Sequence, residues 1–214
     1  MTTETSRPQL LGAVTQRGLG NACIASGVLG VAAGVATLAY PDAVPDTQWS
    51  YPFSVSAQWA VSVVLAVSHA LTGAGFLGVL RAGPHRSSRT GAIALWAAII
   101  GYAGLAVCEL LSGAIGGRLV DSPTADTVSN AFGVASMLTA IGSVVAGIVI
   151  ARAGVWTGLA QWIVLGSGVV MIVVVTPAII SGDLVPRTVA LMLWSLVFLP
   201  LGQAVRGSQS ATAR

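Results

Sequence analysis

The chain has 214 residues, 55% hydrophobic and 8% charged, with a mean hydropathy of +0.85. Soluble domains carry about 25% charged residues, so composition excludes a water-soluble globule, a disordered chain and a disulfide scaffold, and leaves an integral membrane protein. Ten arginines and no lysine, against seven acids, give a net charge of +3; scattered among apolar segments rather than clustered with aromatics on one face, they exclude a nucleic-acid partner and read as topology signals.

A hydrocarbon core about 30 Å thick takes roughly 20 apolar residues in helix. Six such segments follow one another, so the expected fold is all-α, a single polytopic bundle of six transmembrane helices. Residues 1–18 and 206–214 form cytoplasmic tails around a transmembrane domain at 19–205, with disorder expected from Met1 to Arg7 and from Gly207 to Arg214.

The first segment, 19–40, holds Cys23 and a ridge of small residues at Ser26, Gly30 and Gly34. A cleaved signal peptide is the rival reading, because Thr37-Leu38-Ala39 loosely resembles a cleavage site. The apolar stretch exceeds the 7–15 residues of a signal core, which favours a retained helix. Pro41, Asp42, Pro45 and Asp46 turn the chain into the second segment, 56–80. There Gln58, Ser62, His69 and Thr72 share one sector of a helix and point into the bundle.

The next connection carries Arg81, Pro84, His85, Arg86 and Arg89, an orientation signal or a lipid-headgroup contact. The third segment, 91–115, contains Glu109, with Tyr102 seven residues before it on nearly the same face and Ser112 one turn after it. Cys108 lies near the opposite end of its segment from Cys23, which disfavours a disulfide between them. The fourth segment, 129–151, begins beside Asn130 and carries a stripe of Ser129, Gly133, Ser136, Ala140, Ser143 and Gly147. Such small-residue faces serve close packing within the bundle or a homo-oligomer contact. In the fifth, 158–181, the missing amide proton of Pro177 after Thr176 predicts a kink, and the sixth spans 188–205.

Arginine retention on the cytoplasmic side sets both termini inside. Arg7, Arg17, Arg81, Arg86, Arg89, Arg152, Arg206 and Arg214 then lie inside, and only Arg118 and Arg187 outside. The expected location is the inner (plasma) membrane, with the lipid bilayer as first partner. Trp49, Trp59 and Trp194 are expected in an outer interfacial belt, and Trp96, Trp156 and Trp162 in an inner one.

Glu109 is the sole acid within a predicted span, about 5–10 Å below the outer boundary at 1.5 Å per residue. A carboxyl there is costly unless paired, protonated or wetted, which marks it as a functional candidate. His69 lies nearer the midplane, so direct contact between the two requires tilt. Tyr40, Tyr51, Phe53, Gln58 and Asn130 gather with Glu109 in the outer half, and Tyr102, Gln58, Trp59, His69 and Asn130 are the candidate substrate-binding residues around a catalytic Glu109. A single other histidine, His85, supports neither a haem nor a metal site, so no metal and no cofactor are expected.

One embedded acid in an apolar, aromatic-rimmed site is minimal equipment for protonating an alkene or epoxide and starting a carbocation cyclisation. In size, helix number and lone embedded acid the chain resembles the small integral-membrane terpene cyclases. That resemblance is one of whole-chain plan, assigns no residue roles, and implies an isoprenoid-like lipophilic substrate. Aspartate-rich diphosphate-binding motifs are absent from the sequence, which turns the expectation to proton-initiated chemistry. The alternatives are a small transporter or channel subunit, with Glu109 and the His69 stripe as a proton or cation path, and a non-catalytic membrane scaffold.

Overall fold

A computed structural model describes residues 7–208, with side chains from Thr15 onward. The disorder expected of residues 1–6 and 209–214 lies outside the described residues. The helices are α1 (Arg7–Ala39), α2 (Val55–Ala82), α3 (Arg89–Ala114), α4 (Pro123–Ala153), α5 (Ala160–Ile180) and α6 (Leu184–Gly207). All six contain stretches long and apolar enough to cross a membrane, in α1 from Thr15 onward, and no strand accompanies them among the described residues.

Several helices outrun their predicted spans because hydropathy marks the apolar stretch rather than the hydrogen-bonded helix. α1 starts at Arg7 instead of 19, so residues 7–18, read as tail, are helical; Pro8 falls in its first turn, where a missing N–H costs no bond. α2, α3 and α4 start on serine caps: Ser54, Ser88 and Ser122 accept from the backbone N–H groups of Ala57, Gly91 and Ala125. Gly83 and Gly154 end α2 and α4 in the left-handed region, at φ 67° and 64°.

Each helix packs on its sequence neighbours, and α6 closes back on α1, so the six form a ring around one core. Three connections, α1–α2, α3–α4 and α5–α6, gather at one end of the ring, the loop end. Both described termini lie at the other, the terminal end. The first two connections are clasped at the loop end, where Trp49 N–H donates to Arg118 O at 2.8 Å and Val120 N–H to Thr47 O at 2.9 Å.

The expected kink in α5 takes the form of a π-helical turn at Met171–Val175. Pro177 has no N–H to give, and the chain widens just ahead of it so that the Thr176 backbone N–H and side-chain Oγ1 both reach Met171 O. The small-residue ridge of α1 is spent inside the ring: Gly30 faces Ser195 and Gly34 faces Met192 of α6. Cys23 and Cys108 are free, buried thiols.

α3 and α4 approach backbone to backbone at Gly142, where a Cβ would stand 2.7 Å from both Ala94 O and Ala98 N. Gly142→Ala therefore destabilises the bundle by about 1–3 kcal/mol through overpacking, read as a lower midpoint in an unfolding titration. Gly133→Ala, whose Cβ meets nothing within 4 Å, leaves the midpoint in place. An unchanged midpoint for Gly142→Ala would contradict that contact.

Candidate functional site

His69 Nε2 stands 3.5 Å from Glu109 Oε1, joining α2 to α3 inside the ring. Sequence depth alone kept these two apart, and helix geometry explains how they meet. Gly73 faces the Tyr102 side chain and Gly113 faces Ser62, a register that sets residue 69 opposite residue 106. Glu109 is thus about 4.5 Å off level. Side chains lean toward the N-terminus of their own helix, and α2 and α3 are antiparallel, so His69 leans to the loop end while Glu109 leans away from it. The separation is within ion-pair range and a few tenths of an ångström beyond a charge-assisted hydrogen bond. The two side chains keep 14% and 12% accessibility.

On the terminal side of the pair the ring is filled by aromatic rings. Tyr102 stacks on Trp194 (centroids 5.9 Å apart, planes 17° apart) and lies 5.0 Å from Phe76 and 6.0 Å from Phe198. Trp194 also meets Phe198 edge-on at 5.0 Å and lies 6.2 Å from the His69 imidazole. Tyr102 is fully buried, so its aromatic face belongs to this layer, two turns away from Glu109.

Trp194 corrects the outer-belt assignment. α6 begins at Leu184 rather than 188, which sets the indole about 15 Å along the helix. There it is buried, and its Nε1–H donates to Ser167 O at 3.1 Å. Trp156, expected in the inner belt, is also buried, whereas Trp59, Trp96 and Trp162 are exposed.

On the loop side of the pair the lining is polar. Trp49 Nε1–H donates to Ser112 Oγ at 2.9 Å. Gln58 Nε2–H donates to Ser112 Oγ at 3.2 Å and to Ser62 Oγ at 3.3 Å. Ser112 is one turn from Glu109 and Ser62 two turns from His69, so hydrogen-bonding groups lead from the clasped loops toward the acid. Thr72, the last member of the α2 stripe, donates to Ser68 O on its own helix.

The expected site residues therefore separate. Glu109 and His69 touch, Gln58 belongs to the ladder above them, and Tyr102 to the aromatic layer below. Trp59 is 43% exposed and lies over Gly113, and Asn130 is exposed on α4. Sequence reading missed Trp194 as a neighbour of the pair; its signal was a tryptophan well inside an apolar stretch that begins at Leu184.

A carboxyl and an imidazole thus stand 3.5 Å apart between a polar lining and an aromatic layer, one acid group and one base group brought to the same level of the ring. Among the described residues no three His, Cys, Asp or Glu side chains gather as a metal site would require. No family model, curated protein or solved structure matches the chain.

Proposed function

We propose that the chain is an integral membrane enzyme that moves a proton on a lipophilic, isoprenoid-like substrate, with Glu109 as acid and His69 as base. The observation that carries this reading is their 3.5 Å contact within the membrane-spanning ring. A proton-initiated isomerisation or cyclisation needs one group to deliver a proton and another to remove one. The O–H bond of Glu109 breaks as its proton adds to a substrate double bond or epoxide oxygen, and the carbocation rearranges. A C–H bond beside the cationic carbon then breaks, its electron pair forms the new double bond, and the proton passes to His69. Return of that proton from His69 to Glu109 resets the pair with no net redox change.

The Trp194 ring beside the imidazole supplies a face that stabilises positive charge. This is chemistry of the kind implied by the resemblance to membrane terpene cyclases. With both termini cytoplasmic, as the arginine distribution favours, the polar ladder opens to the outer face of the plasma membrane.

The ladder favours a second reading, a proton-coupled carrier in which Glu109 and His69 load from the loop end. Mass spectrometry on membranes fed linear prenylated and epoxidised aromatics separates the readings. An isomer of equal mass and altered retention, formed by wild type and not by Glu109→Gln, supports the enzyme. A substrate moved but unchanged favours the carrier, and wild-type behaviour in Glu109→Gln overturns both in favour of a scaffold.

A further inference from the structure

At the terminal end, away from the acid and histidine, Arg17 of α1 meets Gln203 and Arg206 of α6 around an open concavity of about 360 Å³ that Gly207 completes. The approach of the two helices builds this feature. Gly20, one turn along α1, has no side chain, and the Arg206 stem lies across it; a Cβ there would collide with Arg206 Cγ and stand 2.7 Å from Gly202 O. The guanidinium is thus carried over α1 toward Arg17.

Neither arginine has a carboxylate within 4 Å among the described residues, where the one such pair is His69 with Glu109. Two planar cations and an amide donor around one hollow match the oxygens of a phosphate group, to which guanidinium donates in a bidentate fork. The hollow is far larger than the roughly 30 Å³ share of one water. It lies where the apolar stretches of α1 and α6 give way to polar residues, the depth at which lipid headgroups sit.

We propose that Arg17, Gln203 and Arg206 form a binding site for a phosphate group, supplied by the headgroup of an anionic phospholipid. Arg206 in the last turn of α6 also complements the helix dipole; that role alone creates no preference among lipids, so lipid selectivity tells the two apart.

The test is native mass spectrometry of the full chain in neutral detergent, titrated with phosphatidylglycerol, phosphatidylcholine or inorganic phosphate. Wild type should retain phosphatidylglycerol with a preference of roughly tenfold or more over phosphatidylcholine, falling to within about twofold in R17Q/R206Q. Arg152→Gln, which alters an exposed arginine outside the hollow, should keep the preference. Displacement of the lipid by millimolar inorganic phosphate would keep the phosphate site but assign it to a soluble source; retention against it assigns the headgroup. Equal retention of both lipids by wild type, or an unchanged preference in R17Q/R206Q, overturns the proposal. If the double variant does not fold, Arg17→Gln and Arg206→Gln read the loss in two smaller steps.

Discussion

If Glu109 is the acid of the proposed reaction, Glu109→Gln is expected to lower product formation by about 10²–10⁴-fold, the span that general acid–base groups contribute, while the protein still folds and inserts. Glutamine has nearly the shape of glutamate and keeps an oxygen and an N–H within reach of His69, but holds no transferable proton. The imidazole left opposite an amide can stay neutral, so the variant avoids the 3–5 kcal/mol cost of an uncompensated buried charge. A fold loss is therefore not expected to accompany the activity loss. His69→Gln should fall by a smaller factor, since substrate or water can accept the departing proton more slowly. Product formation is read by the isomer peak in mass spectrometry, normalised to protein in the membrane. Equal activity in wild type and Glu109→Gln would remove the acid from the mechanism.

The largest effect on stability belongs to Trp194→Ala, a loss of about 3–5 kcal/mol. The indole is 3% exposed and joins His69, Tyr102 and Phe198 in one aromatic layer. Removing it opens a void beneath the acid–histidine pair, and in a bilayer the forfeited packing is the main attraction between helices. Trp194→Phe should cost far less: a ring still fills the layer, and Ser167 O keeps the Met171 backbone N–H as a donor. Midpoints of an unfolding titration in mixed micelles measure both. A change within about 0.5 kcal/mol for Trp194→Ala, ordinary for exposed positions, would return this tryptophan to an interfacial belt.

Apolar periodicity made the six helices legible because a bilayer demands a long apolar stretch for each crossing. Their ends were less legible, although the signals were in the chain: Ser54, Ser88 and Ser122 as caps, and Gly83 and Gly154 as left-handed stops. Glu109 stood out because a carboxyl inside an apolar segment is rare. Its partnership with His69 was hidden because depth counted along each sequence ignores the opposite lean of side chains on antiparallel helices. Pro177 announced an irregularity in α5 but not that the chain would answer with a π turn. The exposure of Trp59 and Asn130, and the burial of Trp194, follow from helix rotation and ring closure, which are properties of the packed bundle rather than of one segment.

The proposed coupling of Glu109 to His69 is tested most directly by pH-difference infrared spectroscopy of the protein in lipid, with wild type, Glu109→Gln and His69→Gln side by side. The expected result is a carboxyl band that is missing in Glu109→Gln and displaced in frequency in His69→Gln. A Glu109 band identical in wild type and His69→Gln would show that the two groups do not interact, and would contradict that coupling.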